Sequence, residues 1–475
     1  MARRELGLVV GYATSLVGGV ISLVLYAHML GPADYGDLAV DLALVEALQG
    51  VLFQWHRLAV VKFWAANEKT GFASYLTTYH LTWLGLACAV LLFSGASEIV
   101  GGKWWKIEWT AVIVMGVAKS AALYAQEIAR ASGASFRYAV GALLLTVGSS
   151  IAGVVAYRLT QSIAPVLMAS TAVFLLSSAI CICRAGLIGT GARFRREHFR
   201  TMLRYGLPLI LVFVSVTALT RLDRPILALF ETSSVVGVYA AATALITNMV
   251  SAACLLLVTP AYPWLLREKE RRPEHDYRRL HAQVGVLMLS GVLAAGTALY
   301  CARGAVLPLL LGTTIGNAAR PYVLPLLAIA IVGAFRAHFF DQAYHLFSRT
   351  RTLMVLNIAT LVVATPALYM GAKLDGLNGL LCGLLIANAL SLLASAIFSK
   401  SFVNVRQLLG GVGTLAAVSS VSGLAGEMLV HSFSYAATNP QLAGIASATM
   451  AMFVFFVGMY LTDVGAIRSL KWRRV

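Results

Sequence analysis

YGLPLILVFVSVTALTRLDRPILALF, residues 205–230, is apolar enough to sit in a bilayer, yet carries Arg221, Asp223 and Arg224 towards one end. Its length is close to the ~20 residues a helix needs to cross the hydrocarbon core. The chain repeats that pattern at 6–30, 38–61, 78–97, 107–129, 138–157, 163–183, 235–264, 282–302, 321–347, 352–372, 376–398, 407–430 and 441–462. With 205–230 in seventh place, these make 14 spans of an all-α integral membrane protein. Composition agrees, at 59% hydrophobic and 12% charged, where a soluble chain is about a quarter charged.

The spans place the charges. With the amino terminus in the cytoplasm, 26 of the 37 Lys and Arg fall in cytoplasmic segments, six in external segments and five inside helices. Cytoplasmic loops carry such an excess, so both termini are expected inside a plasma (inner) membrane. The net charge of +17 is therefore a flank of the spans, and no nucleic-acid partner is expected. The basic start Met1 to Arg4 leads into an apolar run too long for a cleaved signal, which predicts an uncleaved first helix. Of the six Cys, Cys181 and Cys183 stand two apart on a helix and point apart, so neither a disulfide nor a zinc site is indicated.

The layout divides into an amino-terminal six-helix lobe (1–183), a basic linker (184–204), a second six-helix lobe (205–398) and two further helices with a basic tail (399–475). Arg193, Arg196, Arg200 and Arg204 recur at helical spacing opposite Phe194, Phe199, Met202 and Leu203, as in a short helix lying on anionic headgroups; a solvated basic linker is the competing reading. A weak internal repeat supports two lobes. At an offset of 201, Gly36 matches Gly237, Ala39 matches Ala240, Ala43 matches Ala244 and Leu44 matches Leu245. Transporters built of parallel repeats bind substrate near the midplane and rock one half against the other.

The five cations inside helices are Arg57, Lys119, Arg221, Arg224 and Arg336. A base at mid-bilayer costs roughly 2.5–3.5 kcal/mol on insertion scales, so each must face a protein interior or a watery cavity. One reading has each paired with an acid on another helix, such as Asp41, Glu46 or Asp341, or, for Arg57, snorkelling to the surface. The other is a cationic cavity suited to phosphate, which Arg grips bidentately. Arg221 and Arg224 are three apart and are expected to share a helix face, with Asp223 projecting elsewhere. In the tenth span His338, Asp341 and His345 are spaced for a shared polar face, and His titrates near neutrality, which makes them candidates for proton coupling. No second ligand cluster accompanies them, so no metal is expected. Prolines at 208, 225, 260, 325 and 366 mark places where spans can bend. There is no Gly-rich phosphate loop and no external loop with paired carboxylates or a nucleophile and its base, so neither ATP use nor catalysis is expected.

LGPADYG (30–36), together with Asp223 and the Val236, Gly237, Tyr239 cluster, resembles the polysaccharide transporter branch of the multidrug/oligosaccharidyl-lipid/polysaccharide (MOP) exporter superfamily, which includes O-antigen-type flippases. Length, span number, two-by-six layout and basic flanks extend the likeness over the whole chain. The resemblance implies two six-helix bundles around an alternating cavity, with the last two helices against the second bundle. It implies transport of an undecaprenyl-diphosphate-linked oligosaccharide to the external leaflet, alongside polysaccharide assembly proteins. It assigns the diphosphate to Arg57, Arg221 and Arg224, with Lys119 next, and makes Asp223 a candidate for a coupling cation, Na+ or H+, with no cofactor. The first span has no base after Arg4, a departure from lipid II flippases that favours exopolysaccharide, capsule or O-antigen synthesis. Two other readings stand beside it. A multidrug or organic-cation antiporter of the same fold would use Asp41, Glu46 and Asp223; a membrane-embedded polymerase or ligase would need a substantial external loop.

Overall fold

The structure is a computed structural model that describes residues 2–67, 72–100, 108–182, 193–432 and 439–464. Part of the basic linker (184–192) and the basic tail (465–475) lie outside the described residues. Those that are described form helices joined by short turns. Eleven helices are long and apolar enough to cross a membrane. One of these doubles back and supplies two spans. The first span and the charged second bring the total to the expected fourteen.

The chain divides into two compact units, Met1–Gly237 and Val238–Val475. The first contains α1 (Ala2–Met29), α2 (Pro32–Leu48), α3 (Gln54–Asn67), α4 (Phe72–Val100), α5 (Trp109–Ala131), α6 (Ser135–Leu143), α7 (Ser149–Thr160), α8 (Ile163–Ile182), α9 (Arg196–Arg221) and α10 (Asp223–Ala228). The first turn of α11 (Ser233–Arg271) also belongs to it. Pro32 opens α2 at a position where its missing N–H costs nothing. The central element is α5, whose Ala118, Ala121, Ala122, Ala125 and Ala129 are buried. Small residues let membrane helices approach closely, where packing must replace the hydrophobic drive. The repeat partners Gly36 and Gly237 meet backbone to backbone. A methyl on Gly36 would strike the Ser233 carbonyl, and one on Gly237 the Pro32 carbonyl.

The basic stretch before the seventh span is not a separate surface helix. Arg196 runs into the span as one 26-residue helix, α9. Its apolar side, Phe199, Met202 and Leu203, is taken up by an aromatic cluster of Trp55, Trp64, Tyr75, Tyr79 and Tyr124. Trp55 lies over Gly206, and Lys62 sits 3.9 Å from the Tyr205 ring centre. Protein thus covers the face assigned to lipid headgroups.

The second unit holds the rest of α11, then α12 (Glu274–Leu311), α13 (Thr313–Ala319), α14 (Val323–Phe335), α15 (Asp341–Leu346), α16 (Thr350–Ser399), α17 (Val405–Ser432) and α18 (Pro440–Thr462). The last two helices pack on α12. Thr297 and Ser419 hydroxyls are 2.7 Å apart, and Arg303 pairs with Glu427. The 50-residue α16 is a hairpin that reverses at Asp375 and Gly376, where Gly376 has φ +49°. Gly371 faces Gly379 with no room for a methyl on either, and Thr360 bonds Ser391 at 2.8 Å across the arms.

Candidate functional site

The site grows from the second span, which is neither purely α-helical nor purely apolar. Between α2 and α3, Gln49–Phe53 forms a π-helical turn. An insertion of this kind rotates everything after it, and such turns recur at functional sites. In a regular helix Glu46, Gln49 and Gly50 would be followed on the same face by Phe53 and Arg57. The extra residue sends Phe53 into the core beside Trp83, Ala87 and Val117 and brings Gln54 round in its place. Gln49 donates to Gln54 at 3.1 Å and ties the turn together.

Three elements then enclose a cavity of about 420 Å³ within the first unit. Glu46, Gln49, Gly50, Gln54 and Arg57 come from the second span, and Lys119 and Leu123 from α5. Helix α9 adds Phe213, Val216, Thr217, Thr220 and Arg221 at helical spacing. Gly50 is the point of closest approach, since a methyl there would meet the Thr217 hydroxyl.

The cations of this cavity are held in three ways. Lys119 donates to Glu46, the one carboxylate in the lining. Arg57 lies 3.9 Å from Glu127 of α5, which is shared with Arg130 at 2.6 Å. Arg221 makes no ion pair among the described residues. With Glu127 and Arg130 counted beside the lining, four cations meet two carboxylates, and the excess of positive charge falls on Arg221 and on the shared Arg57, where an unpaired charge away from water is expensive. An anion entering between them would relieve that cost, with guanidinium forks to grip it and amide and hydroxyl groups of Gln49, Gln54, Thr217 and Thr220 alongside.

Arg224 stands apart from Arg221. Pro225 has no N–H to give the Arg221 carbonyl, and the helix is interrupted at Leu222. Past the break Arg224 is half-buried beside Tyr35, its Nε without an acceptor, and it does not line the cavity. Asp223, which begins α10, is buried.

Arg336 belongs to the second unit and is already occupied. It donates to Asn357, reaches Ser395 at 3.4 Å and lies 3.7 Å from Asp341, clamping both arms of α16 to its own helix. Asp341, named among acids expected to pair from another helix, instead lies within the span of Arg336, five residues on across a π-turn. A second π-turn, Arg336–Phe340, breaks the regular spacing on which the His338, Asp341 and His345 face was based. His345 is exposed, whereas His338 and Asp341 are half-buried. Among the described residues no three His, Cys, Asp or Glu side chains lie close enough to hold a metal.

Sequence reasoning missed Glu127 and the α9 contribution of Phe213, Thr217 and Thr220. Glu127 carried a signal, as an acid inside an apolar span three residues from Arg130. Among other polar side chains of the spans, Gln54 reaches the cavity. Tyr124 bonds His80 at 3.0 Å, and Asn357 holds Arg336.

The described residues thus form an all-helical, multi-span chain with a charged cavity inside its first unit. The chain belongs to the polysaccharide biosynthesis protein family, whose model matches residues 7–269. Among solved structures it is similar to the lipid II flippase MurJ in an inward closed conformation, with TM-score 0.68 and 13% identity over 97% of this chain and 99% of that one. It is also similar to an inward-facing multidrug resistance MATE family transporter, with TM-score 0.53 and 15% identity over 86% and 98%. The MATE multidrug transporter DinF-BH gives TM-score 0.51 and 11% identity over 84% and 94%. These likenesses are of fold. No curated protein matches the chain.

Proposed function

We propose that the chain is a flippase that carries an undecaprenyl-diphosphate-linked oligosaccharide from the cytoplasmic to the external leaflet by alternating access, serving exopolysaccharide, capsule or O-antigen synthesis. The observation that carries this reading is the sign of the cavity: Arg57, Lys119 and Arg221 against the single carboxylate Glu46. A diphosphate supplies the missing negative charge, and Arg57 and Arg221 would hold it bidentately with Lys119 as a point charge. Arg224, beyond the Pro225 break, is the reserve cation on the path. Asp223 is the candidate for coupling to Na+ or H+. In this reading the membrane is the plasma (inner) membrane, both termini are cytoplasmic, and the flippase hands its cargo to polysaccharide assembly proteins.

The organic-cation antiporter fares worse on the same observation. Its cavity needs free acids, and Glu46 is neutralised by Lys119. The deciding experiment is translocation of a fluorescent undecaprenyl-diphosphate oligosaccharide in proteoliposomes, wild type against Arg221→Ala/Arg224→Ala. Transport by wild type alone supports both the cargo and the site. Transport by both variants leaves a flippase with a different site. Efflux of a cationic dye, with no lipid movement by wild type, replaces the flippase with the antiporter.

A further inference from the structure

A second anion site, of a different kind, is carried by the basic face of the second unit, where α12 begins, α16 ends and the turn 400–404 leads into α17. Two cavities of about 470 Å³ each open there. Arg279, Asn404, Arg406 and Gln407 line one; Lys400, Arg406 and Leu409 line the other. Among the described residues no carboxylate lines either. Arg278, which also lines the second cavity, is paired with Glu274 one turn earlier. Arg279, Lys400 and Arg406 are exposed and make no ion pair among the described residues.

These cations rest on a fixed floor. Phe402, Val403 and Val405 are buried, and the Phe402 ring packs, tilted, 5.0 Å from that of Phe347, which in turn lies 5.8 Å from Tyr277. Asn404 caps the start of α17 through the Gln407 N–H at 3.2 Å, which sets the backbone that presents Arg406. Immediately beside the charges the surface turns apolar. Leu409 is 63% exposed, and Ile397 and Phe398 at the end of α16 are also exposed. Cations, amides and outward-facing apolar side chains thus succeed one another within about one helical turn. A soluble anion would use only the first of these.

We propose that this groove holds an anionic phospholipid of the adjoining leaflet, its phosphate on Arg279 and Arg406, its glycerol region by Asn404 and Gln407, and an acyl chain along Leu409. Basic pockets at the ends of membrane helices hold such headgroups. A third cavity, lined by Gln283, Gln407 and Val464, leads from the groove to the last described residue. The inference stands on the second unit alone and does not depend on what the first unit transports.

The test is binding of phosphatidylglycerol or cardiolipin to the purified full chain in detergent, read by native mass spectrometry. Phosphatidylcholine and inorganic phosphate serve as the other arms. Arg279→Gln/Arg406→Gln is compared with Arg193→Gln/Arg196→Gln, which removes the same charge from an exposed part of the first unit. The expected result is selective retention of anionic lipid by wild type and by the control. The groove variant should bind roughly thirtyfold more weakly, from about fivefold per cation lost. Equal loss in both variants, or retention of phosphatidylcholine to the same extent, overturns the proposal. So does competition by inorganic phosphate alone, which would make this a free-phosphate site. Should the groove variant fail to fold, a photoactivatable phosphatidylglycerol on wild type decides. Labelling within 400–409 supports the groove, and labelling elsewhere only overturns it.

Discussion

Glu46 and Lys119 form an ion pair inside a cavity that needs an anion, so the resident carboxylate stands where part of a diphosphate would. Glu46→Gln should therefore tighten binding of a diphosphate lipid, on the order of tenfold if the pair is worth even ~1.5 kcal/mol, the low end for close charge pairs. Fluorescent-lipid titration of the detergent-solubilised variant would show it, and unchanged affinity would remove Glu46 from the binding path. Glu127 has a different task, holding Arg57 and Arg130 at once. Glu127→Gln should lower stability by roughly 2–3 kcal/mol, discounted for the partial exposure of the arginines. Thermal unfolding in detergent reads that loss. Individual cations inside spans were legible because nothing else in an apolar run resembles them. Glu46 and Asp341 were among the acids named as partners, but which base each meets was not legible, because Glu46 and Lys119 lie on different helices and no spacing in the sequence connects them.

At the scale of the element, the π-turn at Gln49–Phe53 decides which side chains face the cavity. In a background without the native cysteines, Gln54→Cys should react with a water-soluble thiol reagent while Phe53→Cys stays protected. The reverse pattern would mean a regular helix. The contact of Gly36 with the first turn of α11 is equally specific. Gly36→Val should cost about 1–3 kcal/mol or more, since the obstacle is backbone and cannot swing aside; a melting temperature equal to wild type would count against it. Apolar length made the spans readable, and the offset of 201 pointed to Gly36 and Gly237. The π-turns at 49–53 and 336–340 were invisible, because QGVLF and RAHFF contain no residue that forces one. The surface helix expected before the seventh span failed for a related reason. An apolar face reads the same whether lipid or a tryptophan covers it.

For the whole molecule, the flippase reading predicts what a cell loses. A deletion strain should export no polymer and no single repeat units, whereas loss of a polymerase would still release single units. Analysis of surface glycan length separates the two. The fourteen-span layout was legible, since it follows from the apolar length a bilayer demands. The cargo's sugar was not, because hydroxyl and amide groups such as Gln49, Gln54, Thr217 and Thr220 suit many glycans. The hairpin of the second unit also bears on how the protein is made. Helix α16 reverses within two residues, Asp375 and Gly376, and its arms touch at Gly371 and Gly379 without side chains between them. A reversal that short leaves no loop to be threaded after one arm is already seated. The eleventh and twelfth spans are therefore expected to enter the membrane during synthesis as one hairpin, with Lys373 and Asp375 together at its tip.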